Sequence, residues 1–336
     1  MPVYRNNYVG SVTRSLSELL RWQCERIRRR LPPAPTVPIP RIAPDLKFVR
    51  GNAVAAAAMT PAVTWIGHAT ALVQACGLNV LTDPIFSQRA SPVQFAGPAR
   101  AQAPGLALRE LPHIDVVVIS HNHYDHLDRG SIESLAAQAG GPPLFLVPLG
   151  IKDWLKRLQI ERSVELDWGQ TEVHEGVEFH FTPAQHWSGR SLNDRNQTLW
   201  GSWSVLGPRF HWFFSGDTGY SKDFSDIRER FASRQTLAVG GGFDLALIAV
   251  GACLPRWFMQ QQHVDLDEAV QIHLDLGAKQ SLGVHWGTFS LADDPLDLPL
   301  HQLADIRRGK GVRDEAFFLL PVGATRRLTT RSGDTR

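Results

Sequence analysis

The chain has 336 residues, of which 43% are hydrophobic and 20% charged, so its composition allows a sizeable core in one large α/β domain or two ordinary ones. Its 35 Lys and Arg residues nearly balance its 33 Asp and Glu residues, and the formal net charge is +2. This balance, with the lack of a basic stripe interleaved with stacking aromatic residues, excludes nucleic acid as the main partner.

The first 50 residues differ from the rest and begin with a predicted basic amphipathic helix. Ser15 and Glu18 fit the capping box that starts a helix. Four apolar residues and one glutamine then follow helical spacing: Leu16, Leu19, Leu20, Gln23 and Ile27. Positive charge around this stripe comes from Arg14, Arg21, Arg26, Arg28, Arg29 and Arg30. The helix is expected to dock on the body of the protein, as most apolar stripes do, with an anionic membrane surface as the alternative.

Six prolines between Pro32 and Pro44 predict an extended, semi-rigid linker that wraps around or spaces the helix. Residues 51–336 are expected to form a single domain in which short β-rich runs alternate with turns and helices. Strands are predicted at residues 62–66, 71–75, 78–82, 115–120, 178–182, 200–206, 210–215, 244–250, 280–285 and 316–320. Helices are predicted at residues 131–138, 151–158 and 266–276. Mixed sheets with interspersed helices indicate a layered α/β architecture.

The segment from Ser120 to His126 places four potential metal ligands directly after a strand. That strand, DVVVIS at 115–120, is a continuous apolar run typical of burial on both faces, and sites usually form on the loops after such strands. Because His121 and His123 alternate, both imidazoles can face one point. Asp125 and His126 follow a bend in the chain and can face a second point nearby. Imidazole and carboxylate ligands suit Zn²⁺, with Fe or Mn as competitors.

Two metal sites need more ligands than these four, and three downstream residues share a suitable context. His186, Asp217 and His285 each end or follow a predicted strand, between small or turn-forming residues. An aspartate at the end of an apolar strand costs free energy to bury unless something cationic holds it. A position between two zinc ions would satisfy both carboxylate oxygens of Asp217.

Three further residues are weaker candidates for contact with the metals or the substrate. His68 and His263 lie in turn-like contexts. Asp83 follows a strand, and its carboxylate could accept the second N–H of a metal-bound imidazole. The other histidines are expected to be structural or solvated, as single histidines usually are: His113, His174, His180, His211, His273 and His301.

The HxHxDH motif with a later His, Asp and His resembles the signature of the metallo-β-lactamase superfamily. Six further blocks resemble one branch of it, the N-acyl-phosphatidylethanolamine-hydrolysing phospholipase D family. They are PLG at 148–150, ELDW at 165–168, LWGSWS at 199–204, SGDTGY at 215–220, PRWFM at 255–259 and HWGTF at 285–289. The resemblance extends from about Val63 to Leu320. The metal motif specifies only the superfamily, whereas the Trp-rich and Gly-rich blocks are specific to the branch.

The resemblance implies a four-layer αββα sandwich that holds two Zn²⁺ ions at one edge of its sheets and hydrolyses a phosphodiester in a lipid. It implies two ligand sets joined by a bridging Asp217: His121, His123 and His186 on one zinc, and Asp125, His126 and His285 on the other. Two zinc ions about 3.5–4 Å apart can hold a bridging water and lower its pKa from about 15.7 towards about 7. The resulting hydroxide would attack phosphorus, with Asp125 orienting the water.

The substrate groove is expected to combine apolar and basic residues. Arg256 or Arg190 would meet the phosphate. Two or three members of the aromatic-rich blocks would line a groove for acyl chains, and the others would lie in the core: Trp187, Trp200, Trp203, Trp257, Phe258, Met259, Trp286 and Phe289. The sequence has no GxSxG elbow, which argues against a covalent serine route.

Two other functions remain open from the sequence. A lactonase or carboxylic-ester hydrolase would use the same hydroxide on a carbonyl carbon, because fold and metal ligands do not fix the substrate. A zinc-holding binding or assembly protein would need the same ligands without an open coordination position.

The cysteines and the hydropathy indicate a cytoplasmic protein. Cys24, Cys76 and Cys253 form no CxxC pair, and their odd number excludes a fully paired intrachain set. No apolar run approaches the roughly 18–20 residues needed to cross a bilayer, and the N-terminus lacks the apolar stretch of a signal peptide. Peripheral contact with a membrane and a homodimer are left open.

Overall fold

The computed structural model of the chain describes residues 3–12, 14–191 and 193–331. Its helices are α1 Leu16–Arg29, α2 Leu46–Ala53, α3 Arg129–Ala136, α4 Lys152–Arg157, α5 Asp223–Phe231, α6 Arg256–Met259, α7 Leu266–Leu276 and α8 Leu298–Gly309. Its strands are β1 Ala62–Gly67, β2 Thr70–Ala75, β3 Leu78–Thr82, β4 Val116–Val118, β5 Leu144–Pro148, β6 Ser163–Leu166, β7 Thr171–His174, β8 Val177–Thr182, β9 Ser202–Leu206, β10 His211–Phe214, β11 Leu245–Ala249, β12 Ser281–Val284, β13 Phe317–Phe318 and β14 Thr325–Arg327.

The strands form two seven-stranded sheets within the described residues. The first sheet has the order β14-β1-β2-β3-β4-β5-β6, and its strands from β3 to β6 run parallel. The second has the order β13-β12-β11-β10-β9-β8-β7, and its strands from β10 to β13 run parallel. Parallel strands end at the same edge of a sheet, so the loops that follow them are neighbours.

Alternate residues of β4 contribute to two layers of the core. Val116 and Val118 pack between the sheets, whereas Val117 packs beneath α3 and α4 against Ile132 and Leu155. Helices α5 and α7 cover the outer face of the second sheet. The order helix, sheet, sheet, helix is the αββα sandwich that the sequence predicts, and the apolar run at β4 exists because both faces of the strand are buried.

Several elements of the structure are missing from the prediction: α2, α5, α6, α8, β5, β6, β7 and β14. Strand β7 lies at a sheet edge and is partly exposed, so it carries no apolar signal. Helix α5 has five charged residues among nine, and its apolar face is apparent only with the sheet beneath it. The strand predicted at 115–120 is shorter, because the chain beyond Val118 already turns into the loop that follows β4.

Helix α1 begins at the predicted capping box and docks on the body of the protein. The Ser15 hydroxyl accepts a hydrogen bond from the amide of Glu18, and the Glu18 carboxylate accepts one from the amide of Ser15. Trp22 provides the docking contact: it is 8% exposed, stacks on Phe258 with ring centroids 4.6 Å apart, and donates a hydrogen bond to Asp293.

The apolar stripe of α1 does not face the body. Leu16, Leu20 and Ile27 are 72%, 57% and 78% exposed. The prediction that α1 docks on the protein is therefore correct, but the predicted docking face is wrong, because Trp22 makes the contact instead of the apolar stripe. A single buried tryptophan offers a large apolar contact, and most of the leucine stripe stays exposed.

The proline-rich segment after α1 lies against the C-terminal part of the chain. The amides of Thr36 and Val37 donate hydrogen bonds to the buried carboxylate of Asp297 at 2.6 and 3.0 Å. The amide of Ile42 donates to the carbonyl of Val322 at 3.0 Å. The segment thus wraps around the body of the protein, as one of the two predicted alternatives states. The predicted division of the chain at residue 50 stays a prediction.

Two features of the fold concern its surroundings. The three cysteines are unpaired, with Cys24 exposed on α1, Cys76 partly exposed and Cys253 buried. Among the described residues, no helix combines the length and the apolar character that crossing a bilayer requires.

Candidate metal centre

The predicted ligands lie on loops at one edge of the two sheets. Residues 121–126 follow β4 of the first sheet, whereas His186, Asp217 and His285 follow β8, β10 and β12 of the second. These loops face each other across the sandwich, and they bring all seven predicted ligands into groups whose ligand atoms lie within 4.8 Å of one another.

His121, His123 and His186 form a first group of converging imidazoles. Nε2 of His121 lies 2.7 Å from Nδ1 of His123, and Nε2 of His186 lies 3.3 Å from the same atom. Oδ2 of Asp217 is 4.0 Å from Nε2 of His121 and 3.9 Å from Nε2 of His186. Three imidazole nitrogens and a carboxylate oxygen around one point are a donor set that Zn²⁺ accepts.

Asp125, His126 and His285 form a second group. Nε2 of His126 lies 3.3 Å from Oδ2 of Asp125 and 3.2 Å from Oδ2 of Asp217. Nε2 of His285 lies 3.4 Å from Oδ2 of Asp125 and 3.1 Å from Oδ1 of Asp217. The carboxylate of Asp217 therefore lies between the two groups, where a bridging ligand would have to be.

Several buried polar atoms of the centre have no hydrogen-bond partner among the described residues. They include Nε2 of His126, both ring nitrogens of His285 and Oδ1 of Asp217. A buried polar atom without a partner costs about 1–3 kcal/mol, and a native structure rarely keeps several of them in one place. Metal cations would satisfy these atoms together, so the residues fit the metal that the sequence predicts.

Burial keeps the first group in the neutral form that binds metals. It lowers the pKa of His121 well below its usual range, and it lowers the pKa of both His123 and His186 to about 3. A neutral imidazole offers a lone pair, whereas a protonated one does not.

The second group is dominated by its carboxylates. Burial alone would lower the pKa of His126, but the carboxylates of Asp217 and Asp125 raise it well above its usual range. Against burial, the same carboxylates raise the pKa of His285 to about 9. The pKa values of Asp125 and Asp217 are in turn held well below their usual range despite burial, mainly by His126. These carboxylates require nearby positive charge, which protons on the imidazoles or metal cations in their place would supply.

Asp83 and Ser120 hold the imidazoles from the side opposite the converging nitrogens. Oδ2 of the fully buried Asp83 lies 2.6 Å from Nδ1 of His126, and Oδ1 accepts a hydrogen bond from the Ser120 amide at 2.7 Å. The Ser120 hydroxyl donates to Oδ2 of Asp83 at 2.5 Å and lies 2.8 Å from Nδ1 of His121. Contacts of this kind fix the tautomer and the orientation of a ligand imidazole, which is the role predicted for Asp83.

Two residues that hold His186 are absent from the prediction. Asn6, which is buried, accepts a hydrogen bond from the His186 amide at 2.9 Å and donates one to its carbonyl at 3.0 Å. Nδ1 of His186 lies 2.9 Å from the carbonyl of Gln262. No local signal marks Asn6, because its partner is 180 residues away in sequence.

His68 and His263 both lie in the centre. Nε2 of His68 is 3.0 Å from Oδ2 of Asp125, and its ring lies 4.1 Å from that of His285. Nδ1 of His263 is 3.8 Å from Oδ2 of Asp217. Their contact with the cluster is observed, whereas their part in binding a metal or a substrate stays a prediction.

Three residues of the centre have a left-handed backbone. The φ angles of His68, Asp83 and His285 are 55°, 31° and 63°. Such conformations cost about 1–3 kcal/mol in a residue other than glycine, and they collect at functional sites because the surrounding fold enforces them. The backbone of His285 is enforced by the hydrogen bond that its amide donates to the carbonyl of His68 at 2.9 Å.

A cavity of about 550 Å³ opens onto the centre. His123, Asp125, Asp217 and His263 line one end of it. Its other walls are largely apolar and are formed by Leu16, Leu19, Trp22, Trp187, Ala252, Phe258, Met259 and Leu291. Helix α1 thus forms one wall of the cavity, although it lies outside the part of the chain in which the sequence resembles the phospholipase family.

Three of the eight residues from the aromatic-rich blocks line this cavity, as many as the sequence predicts: Trp187, Phe258 and Met259. Trp200 and Trp203 are buried in the core. Trp257, a candidate for substrate contact, instead lies beneath the Arg21 guanidinium at 4.5 Å.

The two arginines predicted to meet a phosphate are engaged elsewhere. Arg256 donates a hydrogen bond to the carboxylate of Glu268 at 2.7 Å, and Arg190 donates to two backbone carbonyls at 2.8 Å. Neither is among the described residues that line the cavity, whereas Arg14 and Arg195 are. The phosphate contact of Arg256 or Arg190 stays a prediction, and in the structure both guanidinium groups bond to other parts of the chain.

Comparison with known proteins reveals relatives in sequence. The family described as a β-lactamase superfamily domain matches residues 78–286. An uncharacterised protein of Mycobacterium tuberculosis is 41% identical over 83% of this chain and 71% of its own length. The N-acyl-phosphatidylethanolamine-hydrolyzing phospholipase D 1 of Caenorhabditis elegans is 38% identical over 77% of this chain and 74% of its own length.

Solved structures share the fold. A possible metal-dependent hydrolase from Veillonella parvula superimposes with a TM-score of 0.62 at 15% identity, over 80% of this chain and 100% of its own. An isothiocyanate hydrolase from Delia radicum gut bacteria superimposes with a TM-score of 0.59 at 18% identity, over 79% of this chain and 98% of its own. At these identities the likeness concerns the fold alone.

Proposed function

Because the chain belongs to the N-acyl-phosphatidylethanolamine-hydrolysing phospholipase D family of the metallo-β-lactamase superfamily, we propose that it cleaves the phosphodiester of N-acyl-phosphatidylethanolamine-like lipids. It is a metal-dependent hydrolase. The observation that carries the proposal is the cavity, which has three of the seven predicted ligands, His123, Asp125 and Asp217, at one end and largely apolar walls elsewhere. An amphiphile with an anionic reacting group and long acyl chains matches both parts.

We infer that the metal is zinc and that two ions are held, one by each group of side chains. Supporting this inference are the neutral imidazoles of the first group and the carboxylates of Asp125 and Asp217, which need positive charge beside them. When bound, a zinc ion supplies a Lewis acid that polarises phosphoryl oxygen and acidifies water.

The side chains of the centre complete the chemistry. Hydrolysis adds the oxygen of water to phosphorus and breaks the bond to the ethanolamine oxygen, which leaves with a proton. The Asp125 carboxylate lines the cavity, and His68 holds its Oδ2 in place at 3.0 Å, so it can orient the water. The Asp217 carboxylate lies between the two groups and so can fix their spacing.

The first experiment pairs elemental analysis of the purified protein with a two-substrate assay. We expect two zinc ions per chain, together with release of N-acylethanolamine and phosphatidic acid from N-acyl-phosphatidylethanolamine. Turnover of acyl-lactones or carboxylic esters alone would replace the proposal by the lactonase or esterase alternative. Full zinc occupancy without turnover of any of them would indicate a binding protein.

Replacing Asp83 by asparagine is expected to weaken metal binding and activity by about 10–100-fold, which is typical of losing a contact that orients a ligand imidazole. Asparagine keeps the size of the side chain but removes the charge beside Nδ1 of His126. Zinc affinity measured by competition with a chelator checks the effect. Asp115→Asn is the control, since Asp115 also accepts a backbone hydrogen bond but lies away from the cluster; equal affinities in both variants would contradict the role of Asp83.

A further inference from the structure

The backbone of the predicted ligand His186 is held by a side chain instead of by a neighbouring strand. Strand β8 ends at Thr182, and His186 lies beyond it, outside every described strand and bridge. Its buried N–H and C=O still need partners. Asn6 supplies both, because its Oδ1 accepts from the His186 amide at 2.9 Å and its Nδ2 donates to the His186 carbonyl at 3.0 Å. One side chain therefore fixes the main chain from which this imidazole extends.

The carboxamide of Asn6 uses its whole hydrogen-bonding capacity. Its Oδ1 also accepts a hydrogen bond from the Trp200 indole at 2.9 Å, and its Nδ2 also donates to the carbonyl of Gly10 at 2.9 Å. An asparagine amide offers two donors and two acceptor lone pairs, and all four have partners here. An aspartate would set an oxygen against the carbonyls of Gly10 and His186, so the contact requires an amide.

Asn6 belongs to an N-terminal strap, residues 3–12, that lies across the loop after β8. The amide of Asn6 donates to the carbonyl of Gly10 at 2.8 Å and closes the strap into a tight turn. The amide of Tyr4 donates to the carbonyl of Asn196 at 2.9 Å. The strap lies outside the part of the chain that resembles the phospholipase family, and it reaches a metal ligand through the side chain of Asn6.

The place of His186 decides the geometry of the first group of ligands. His121 and His123 both come from the loop after β4 of the first sheet, whereas His186 comes from the second sheet. Nδ1 of His186 lies 2.9 Å from the carbonyl of Gln262, which orients the ring, while Asn6 holds the backbone that carries it. Asn6 is not among the described residues that line the cavity, so it acts through the ligand and not on the substrate.

We propose that Asn6 is a positioning residue for the metal of the first group and couples the N-terminal strap to the occupancy of that site. It sets the place of His186 against the other two imidazoles of the group. Coupling between two events is reciprocal, so a metal held by His186 also stabilises the docked strap. Among the described residues, Asn6 bonds to no member of the second group, so its effect concerns one ion of the two. This inference rests on the two ions of the proposed function, but metal binding can be measured without turnover.

The test compares Asn6→Ala with Asn7→Ala, which alters the next residue of the same strap. Asn7 is the matched control, because its Nδ2 also donates to the body of the protein, at 2.7 Å from Oδ1 of Asp223, but it contacts no predicted ligand. Competition with a chelator measures the affinity for each zinc ion. We expect Asn6→Ala to bind one of the two ions about 10–100-fold more weakly and the other as the native protein does. Asn7→Ala should hold both ions with native affinity.

Two further readouts separate positioning from general support of the fold. Cobalt(II) in place of zinc gives a visible absorption spectrum that depends on the coordination geometry, and we expect it to change in Asn6→Ala and not in Asn7→Ala. With N-acyl-phosphatidylethanolamine, kcat of Asn6→Ala should fall while KM is kept, because Asn6 lies outside the cavity lining. A residue that only supported the fold would lower the thermal midpoint and leave the spectrum unchanged.

Hydrogen exchange of the native protein tests the coupling without any variant. Amides of the strap, residues 3–12, are expected to exchange more slowly in the zinc-loaded protein than after removal of zinc. The control is the segment of residues 36–42, which also wraps on the surface but is attached to Asp297 and Val322 instead of a predicted ligand. Exchange in that segment should be the same with and without zinc.

The proposal is overturned if Asn6→Ala and Asn7→Ala hold both ions equally tightly and give the same cobalt spectrum. It is also overturned if Asn6→Ala weakens both ions to the same extent, since Asn6 would then support the fold as a whole, or if zinc leaves exchange in the strap unchanged. A native protein that binds both ions and shows the coupling but releases no N-acylethanolamine would contradict the proposed function and leave the role of Asn6 standing.

Discussion

Replacing Asp217 by alanine is expected to remove bound zinc and to lower turnover by about 10³-fold or more, because a metal contributes several kcal/mol to stabilising transition-state charge. Asp217 is the side chain that lies between the two groups, with its Oδ2 3.9 Å from Nε2 of His186 in the first group and 3.2 Å from Nε2 of His126 in the second. Without Asp217, no carboxylate lies between the two groups of imidazoles. Elemental analysis and the rate of N-acylethanolamine release measure the two losses.

The control for Asp217→Ala is Asp297→Ala, which removes another buried carboxylate. Asp297 accepts hydrogen bonds from the amides of Thr36 and Val37 and belongs to none of the ligand clusters among the described residues, so its loss should lower stability and leave zinc in place. Added zinc stabilises a folded site by about 2.7 kcal/mol at a concentration 100 times its Kd. The thermal midpoint of Asp297→Ala should therefore rise with zinc, and that of Asp217→Ala should not. Turnover by Asp217→Ala without metal would refute the mechanism.

Replacing Gly251 by alanine is expected to lower the free energy of unfolding by about 1–3 kcal/mol and to weaken binding of the metal that His285 would hold. A Cβ atom at this position would lie 2.2 Å from the carbonyl oxygen of His285 and 3.2 Å from its carbonyl carbon. These atoms belong to the backbone of His285, which has a φ of 63° and whose amide donates a hydrogen bond to His68. They therefore cannot rotate away from the new Cβ atom as a flexible side chain could. Chemical denaturation and zinc content check the two effects.

Gly309→Ala is the matched control for Gly251→Ala. A Cβ atom there meets nothing within 4 Å, and Gly309 is the last residue of α8. Alanine is favoured over glycine in a helix by up to about 1 kcal/mol, so this variant should be as stable as the native protein or slightly more stable, with full zinc content. Equal stability and zinc content in the two variants would show that the backbone of His285 has room to move.

The metal cluster was predictable because its signals are local. Four candidate ligands within residues 121–126 stand in a spacing that requires little knowledge of the rest of the fold. The later ligands were recognised from strand ends, and the fold then brings the ends of β8, β10 and β12 to the same edge. Asn6 carries no such signal, since its importance arises from a contact with His186 across the molecule.

The cavity could not be predicted from sequence in the same way. The spacing of Leu16, Leu20 and Ile27 correctly indicates an amphipathic helix, but it does not decide between protein and solvent for the apolar face. The orientation of the helix depends on the stacking of Trp22 on Phe258, which lies in a distant part of the chain. In the same way, the charge of Arg256 indicates an anion partner but cannot tell a phosphate from the carboxylate of Glu268.

The contacts that secure the imidazoles also set the order in which the molecule can assemble. His186 is held by Asn6, and the amide of His285 is held by the carbonyl of His68, so both attachments join segments that are far apart along the chain. Closing such long loops is entropically costly and comes late in folding. High-affinity zinc uptake is therefore expected to report completion of the whole sandwich, and a bound ion would stabilise the finished fold instead of directing an early folding step.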